Sequence, residues 1–481
     1  MKNMEIPVNK AKMIATFGPA ISSREIFLEI VKSGVDVIRF NFSHGTYSDH
    51  KTGFDMVKSV NKEFGLNIAI LADLQGPKIR LGEVNGSLSL KQNSTVIITD
   101  KESLSTKDQL YISYKELHKE VKPKDRILIN DGRVELCVLK TENGLISARV
   151  IYGGVLTSRK GVNLPDSTLT TPALTEKDKK DLDFALKEHA NWIALSFVRK
   201  AEDIHEMSDI IGHHRSYTKI IAKIEKPEAV KNIDEIIEAT DAIMIARGDL
   251  GVEIPQEHVP LVQKSIIQKC IEAAKPVIVA TQMMESMIDN PVATRAEIND
   301  VANAVIDGAD AVMLSGETSV GSYPIQVIQT MQRILTNVEK SDLIYDKQLV
   351  ASPKSETYIS DAVCYNACKI AKEVGAKAIV GMTRSGYTAF MISSYRPKAQ
   401  IFIFTDNEKL LPTLNLFWGV RAFYYNGFGG TDETINDVIE VLKEHKHLKK
   451  GELVVNTASM PLTRQGRTNT VKVSKVRDIE K

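Results

Sequence analysis

Eight short apolar runs rich in Val, Ile and Ala recur along the chain, and each is followed by a stretch in which apolar residues return at helical spacing. The runs are KMIATFG (12–18), VIRFNFS (37–43), IAILADLQ (68–75), WIALSFV (192–198), KIIAKIE (219–225), AIMIARG (242–248), PVIVATQ (276–282) and AVMLSG (311–316). Near-continuous apolar strands belong to parallel sheets covered on both faces. Between them lie amphipathic stretches such as SREIFLEIVKSG, KPEAVKNIDEIIEAT and PQEHVPLVQKSIIQKCIEAA. The alternation predicts an α/β chain. The count of eight favours a (β/α)8 TIM barrel over a doubly wound sheet.

One gap breaks the rhythm. Over residues 77–172 the pattern becomes short alternating β with Gly, Asn and Asp punctuation, as in SLSLKQNSTVIITD, DRILIND and RVELCVLKTENGLISARVIYGG. This predicts a small β-barrel domain inserted into a barrel loop. The rhythm changes again near Ser341–Ser355, after which ISDAVCYNACKIAKEVG, AKAIVGMT, QIFIFT, ELVVNT and TVKV read as an open-sheet α/β domain. The expected organisation is barrel over 1–76 and 173–342, insertion over 77–172, and a C-terminal α/β domain over 343–481.

With 481 residues the chain exceeds one compact core. A net charge of +1 points toward neither nucleic acid nor a membrane surface. No apolar run approaches the length of a bilayer span, and MKNMEIPVNKAK lacks the apolar core of a signal peptide. The four cysteines, at 137, 270, 364 and 368, have neither metal-ligand nor disulfide-framework spacing. A soluble cytoplasmic protein with reduced thiols is expected.

Polar residues stand where the apolar runs end, which in a barrel is where catalytic groups gather. They are Thr16; Arg39, Asn41, Ser43 and His44; Asp73; Ser196; Lys223 and Glu225; Arg247, Gly248 and Asp249; Thr281; and Ser315 with Glu317. Buried charge persists only when paired or metal-bound. Glu225 and Asp249 end adjacent strands, and oxygen ligands without His or Cys suit Mg2+ or Mn2+. Lys223 precedes Glu225 by two residues and shares its face of the strand. Arg39 offers a fork for a phosphoryl group, and Gly248 allows close backbone approach to a ligand.

IATFGPAISS, IRFNFSHG, DLQGPKIR, GVNLP, AKIEKPEAV, IMIARGDLGVEIP, ATQMMESM, PVATRAEINDVANAV and DGADAVMLSGETSVGSYP together resemble the pyruvate kinase family, in its order and over almost the whole chain. The resemblance implies a cytoplasmic homotetramer of glycolysis that moves phosphate from phosphoenolpyruvate to ADP, giving pyruvate and ATP. It implies that Lys223 stabilises the phosphoryl transfer and the enolate, and that Glu225 and Asp249 hold Mg2+. Arg39 would bind the phosphoryl group. The N–H groups of Gly248 and Asp249, with Thr281, would bind the substrate carboxylate. Thr281 and Ser315 would relay a proton to the enolate. Arg80, Lys160, Asn41 and His44 would meet the nucleotide. Asn41, Ser43, Asp73 and the Leu74 carbonyl would form a K+ site.

Two stretches raise further expectations. Much of the family carries glutamate where this chain has Lys78, and the glutamate form goes with a K+ requirement. Either the Lys78 ammonium supplies that charge and the enzyme works without added K+, or Lys78 only pairs with a residue of the insertion. In MTRSGYTA, the residues Thr383, Arg384, Ser385, Gly386 and Thr388 resemble the family's effector phosphate loop, with Arg464 and Arg467 as added charge. Fructose bisphosphate, another sugar phosphate and AMP all stay open as its ligand. A metal-dependent aldolase and a catalytically silent regulator are the competing readings. The insertion and the Lys223–Glu225 pairing argue against the first, and the intact site residues against the second. RNA binding lacks a basic stripe.

Overall fold

All eight expected runs form strands, and they close into one parallel barrel. They are Lys12–Thr16, Val37–Asn41, Ala69–Asp73, Trp192–Leu195, Lys219–Ile224, Ala242–Ala246, Val277–Ala280 and Ala311–Leu314. The computed structural model describes residues 4, 6–347, 355–427, 429–460 and 466–477. Six of the eight strands are buried at every position, because helices cover the outside and side chains fill the inside. The helices begin where the sequence provides caps. Thr46 with Asp49, Thr175 with Asp178, and Thr294 with Glu297 each make a reciprocal capping box. The register sets Asn41 beside Asp73 and Lys223 beside Met244, so the polar strand ends meet at one mouth.

The insertion has its own core, built from residues such as Val96, Ile98, Ile112, Ile127, Leu136 and Val150. Its main sheet has six strands, with Val162–Asn163 at one edge and Gln109–Tyr111 at the other. Isolated bridges from Arg80 to Gly161 and from Leu81 to Ile112 tie the entering chain to the residues beside both edges, and the sheet itself is open where a small barrel was expected. Two connections tie it to the main barrel. On the first, the Gly76 N–H donates to Asp178 Oδ1 at 3.0 Å. On the second, Arg199 donates to the carbonyls of Leu169 at 2.6 Å and Thr171 at 2.8 Å.

The C-terminal unit is a five-stranded sheet in the order Val420–Tyr424, Gln400–Thr405, Ala378–Met382, Leu453–Ala458, Thr470–Lys475, with the last strand antiparallel. The strand Val420–Tyr424 was not among the runs read from the sequence. This unit packs on the barrel end opposite the polar mouth. There Arg396 grips Asp310 at 2.9 and 3.0 Å, and Lys12 Nζ donates to the Val420 carbonyl at 2.9 Å. Among the described residues no helix is long and apolar enough to cross a membrane.

Candidate active site

Lys223 is the hub of the mouth. Its ammonium lies 2.9 Å from Glu225 Oε1 and 3.2 Å from Asp73 Oδ1, and donates to Ser196 Oγ at 2.8 Å. Ser196 passes the bond on to the Leu74 carbonyl at 2.8 Å. Burial alone would lower the Lys223 pKa, but Asp73 and Glu225 outweigh it and hold the ammonium above its ordinary range. Burial also works against Asp73, yet Lys223 and Arg39 together keep its carboxyl below the usual value. Glu225 goes the other way: burial raises it, Lys223 opposes, and the like charge of Asp249 adds to the rise. Phe197, in the left-handed region at φ 56°, aims its N–H at Glu225 Oε2 at 2.8 Å.

Arg39 spends its fork inside the protein. Nε meets Asp73 Oδ2 at 2.7 Å and Nη1 meets Thr16 Oγ1 at 2.9 Å. Two of its five N–H groups point elsewhere once Nη2 has also taken Asp73. Asn41, Ser43, Asp73, Leu74, Lys78, Lys223, Asp249 and Thr281 all face one cavity with Arg39. Within it the Asn41 side chain accepts the Ser43 N–H at 3.0 Å. Lys78 is exposed, and among the described residues no ion pair to it is found. His44 stands nearby, and partial burial together with Lys78, Arg80 and Arg39 lowers its pKa.

The stretch after Ala246 is helical over Arg247–Glu253. Arg247 is a buried anchor: it pairs with Asp300 at 2.7 Å and donates to the Thr281 carbonyl at 2.8 Å. Thr281 lies in the left-handed region at φ 68°. The Gly248 N–H, expected to face substrate, donates to Thr281 Oγ1 at 2.7 Å. A Cβ on Gly248 would lie 3.3 Å from that oxygen, so glycine permits the approach. Ser315 does not reach the cavity that Thr281 lines. Its N–H goes to Glu317 Oε2 at 2.6 Å, and its hydroxyl is buried without a partner among the described residues.

A second cavity of about 210 Å³ lies between insertion and barrel, lined by Lys78, Arg80, Asn163, Arg199, Lys226 and Asp249 among others. Lys160 is not on its wall, although its carbonyl pins Leu81 at 2.8 Å. Asn163, Arg199, Lys226 and Glu253 were missed from the sequence as site residues. Three of them lie inside the motifs GVNLP, AKIEKPEAV and IMIARGDLGVEIP, but nothing local says what they face. In the C-terminal unit, Thr383, Arg384, Ser385 and Thr388 line a cavity of about 720 Å³ with Arg467 and the barrel residues Tyr217 and Lys219. Gly386, at φ 90°, caps the helix Tyr387–Ser394, and its N–H donates to Thr383 Oγ1 at 3.0 Å. Arg464 lies outside the described residues.

The donor set fits a hard divalent cation. Asp249 has no hydrogen-bond or ion-pair partner among the described residues and faces both cavities, while Glu225 is held beside it by Lys223 and Phe197. No group of three or more His, Cys, Asp and Glu could hold a metal among the described residues. Two carboxylates with the remaining positions left to substrate and water suit Mg2+.

The family model described as "Pyruvate kinase, barrel domain" matches residues 8–328, and "Pyruvate kinase, alpha/beta domain" matches residues 361–474. The chain is 42% identical over 473 residues to a pyruvate kinase of Clostridium acetobutylicum, covering 98% of this chain and 100% of that protein. It is 43% identical over 465 residues to one of Corynebacterium glutamicum, covering 96% and 97%. A crystal structure of a pyruvate kinase from Cryptosporidium parvum superposes with a TM-score of 0.90 at 33% identity, covering 98% of each chain.

Proposed function

The chain belongs to the pyruvate kinase family, and on that premise we propose how its residues divide the transfer of phosphate from phosphoenolpyruvate to ADP. Lys223 carries the fixed positive charge at the reacting centre. Its contacts with Asp73, Glu225 and Ser196, inside the cavity that Asp249 and Thr281 also line, are the observation that carries this reading. Oriented before substrate arrives, the ammonium stabilises charge on the transferring phosphoryl oxygens and on the enolate without reorganising. Arg39, braced by Asp73, turns its two remaining N–H groups to the phosphoryl group. Thr281, with the backbone at Gly248 and Asp249, receives the carboxylate once the Gly248–Thr281 bond is exchanged for substrate. Thr281 hands a proton to the enolate, a step in which Ser315, whose hydroxyl lies outside the cavity, takes no direct part.

Glu225 and Asp249 would hold Mg2+, which when bound neutralises phosphoryl charge. The family generally uses Mg2+ and K+. In this chain Lys78 takes over the monovalent charge, supported by its exposed and unpaired ammonium beside Asn41, Ser43, Asp73 and Leu74. Arg80 faces the nucleotide phosphates across the second cavity, and Asn41, His44 and Lys160 complete the nucleotide side. The large cavity at Thr383–Thr388 takes a phosphate-bearing effector, a sugar phosphate or a nucleotide, in a homotetramer working in the cytoplasm. The test is pyruvate formation from phosphoenolpyruvate and ADP with Mg2+, in buffers with and without K+. Equal turnover in both is expected. Turnover that collapses when small monovalent cations are withdrawn would end the Lys78 reading and leave the rest.

A further inference from the structure

One buried polar contact joins the insertion to the barrel and is not used by the groups above. Glu253 ends the helix whose first turn carries Gly248 and Asp249. It is only 3% exposed. Its Oε1 accepts from Lys226 Nζ at 2.6 Å and from Asn163 Nδ2 at 2.8 Å. Lys226 directly follows Glu225, and Asn163 ends the edge strand Val162–Asn163 of the insertion. Glu253 Oε2 is buried with no hydrogen-bond partner among the described residues. A second touch point adjoins the first. Asn130, Asp131 and Gly132 form a turn with φ of 57, 57 and 79°, and a Cβ on Gly132 would lie 3.8 Å from Val252 Cγ1 on the same helix.

We propose that Asn163 and Glu253 form a latch that holds the insertion over the nucleotide cleft. The chemistry of the three partners suits a contact that must make and break. Lys226 and Glu253 both belong to the barrel, so their ion pair persists wherever the insertion stands. Asn163 is the member that moves. As a neutral amide it gives a charge-assisted hydrogen bond when docked, yet carries no ion into or out of water when it leaves. A lysine there would bind more tightly and pay a larger desolvation cost. Glu253 stands one helical turn beyond Asp249, and Lys226 stands next to Glu225.

The placement assigns the effect to one substrate. Asn163 lines the cavity shared with Arg80, and not the inner cavity of Lys223 and Thr281. The inference thus rests on reading the outer cavity as the ADP side. Asn163→Ala should lower kcat/KM for ADP about tenfold, the worth of a hydrogen bond to a buried charge, with KM for phosphoenolpyruvate and the thermal midpoint unchanged. Asn163→Asp, which turns a donor into a second carboxylate facing Glu253, should cost more. Combining Asn163→Asp with Glu253→Gln restores a donor with reversed polarity and should recover part of the ADP loss. The latch is overturned if the alanine variant matches wild type, if the aspartate variant is no worse than alanine, or if both substrates suffer equally as stability falls. Arg80→Ala tests the cleft reading separately: a raised KM for ADP in that variant keeps the reading whatever Asn163→Ala does, and an unchanged KM brings down both the reading and the latch.

Discussion

At the scale of single residues, the site is an exercise in keeping buried charge solvated by other charge. Lys223 has 12% of its side chain exposed, Asp73 2% and Glu225 1%. An isolated ion at such depth would be neutralised. The ammonium stays charged because two carboxylates face it, and the carboxylates stay in place because Lys223 and Arg39 share them. Lys78 differs, since it brings a charge with no partner to the rim. Lys78→Met should therefore slow turnover in K+-free buffer by about a hundredfold, the scale of one lost electrostatic group, with added K+ restoring it. A variant that stays fast without K+ would contradict this. The gathering of Lys223, Glu225 and Asp249 at one mouth was legible because charged residues close successive apolar strands. Glu253 and Asn163 were not, because their contact joins positions 90 apart in sequence and each looks like a surface residue in its own segment. The internal bonds of Arg39 and Gly248 were equally hidden, since a sequence shows which groups can bind a phosphate but not which are already engaged.

At the scale of elements, strands and helices place these groups and short strained joints aim them. Phe197, Thr281 and Gln282 all adopt positive φ just past strand ends, a conformation that costs energy and persists where the surroundings enforce it. Gly76 does the same on the first arm of the insertion, at φ 70°, where a Cβ would lie 2.8 Å from the Phe197 ring and 2.9 Å from Ser196 Cβ. Gly76→Ala should destabilise by about 2 kcal/mol through strain and crowding, seen as a lower denaturant midpoint with an unchanged slope. It should also slow catalysis, because it pushes on the Ser196 that steadies Lys223. An alanine variant as stable as wild type would show that the arm relaxes freely. The eight barrel strands were readable because burial on both faces leaves an uninterrupted apolar run. Val420–Tyr424 was not, because it lies at a sheet edge with four of its five positions partly or fully open.

At the scale of the molecule, the barrel holds catalysis at one end and the C-terminal unit at the other. The far interface is also charged. Glu339 accepts the N–H groups of Lys10 at 2.7 Å and Ala11 at 3.0 Å, and the Lys10 ammonium, 5.2 Å from the Trp418 ring centre, donates to the Ala399 carbonyl at 2.6 Å. Burial pushes the Glu339 carboxyl up to about 7, with the backbone bonds and the charges of Lys10 and Lys12 opposing. Burial likewise brings Lys10 down to about 7. A carboxyl raised in the folded state binds its proton more tightly there than in the unfolded chain. Its contribution is therefore complete below about pH 4.5 and lost as the pH climbs through 7. Glu339→Gln keeps an acceptor and removes the titration. The thermal midpoint of the variant minus that of wild type should rise from pH 5 to pH 7, and a flat or falling difference would contradict the assignment.

The central claim is that Lys223, held charged by Asp73, Glu225 and Ser196, stabilises the transfer of phosphate from phosphoenolpyruvate to ADP. The most direct measurement is the rate of pyruvate formation with Mg2+ for wild type beside Lys223→Met, with folding of both checked by thermal unfolding. The account predicts a folded variant whose kcat falls about a thousandfold or more while KM for phosphoenolpyruvate changes little. A folded variant that keeps wild-type turnover would contradict it.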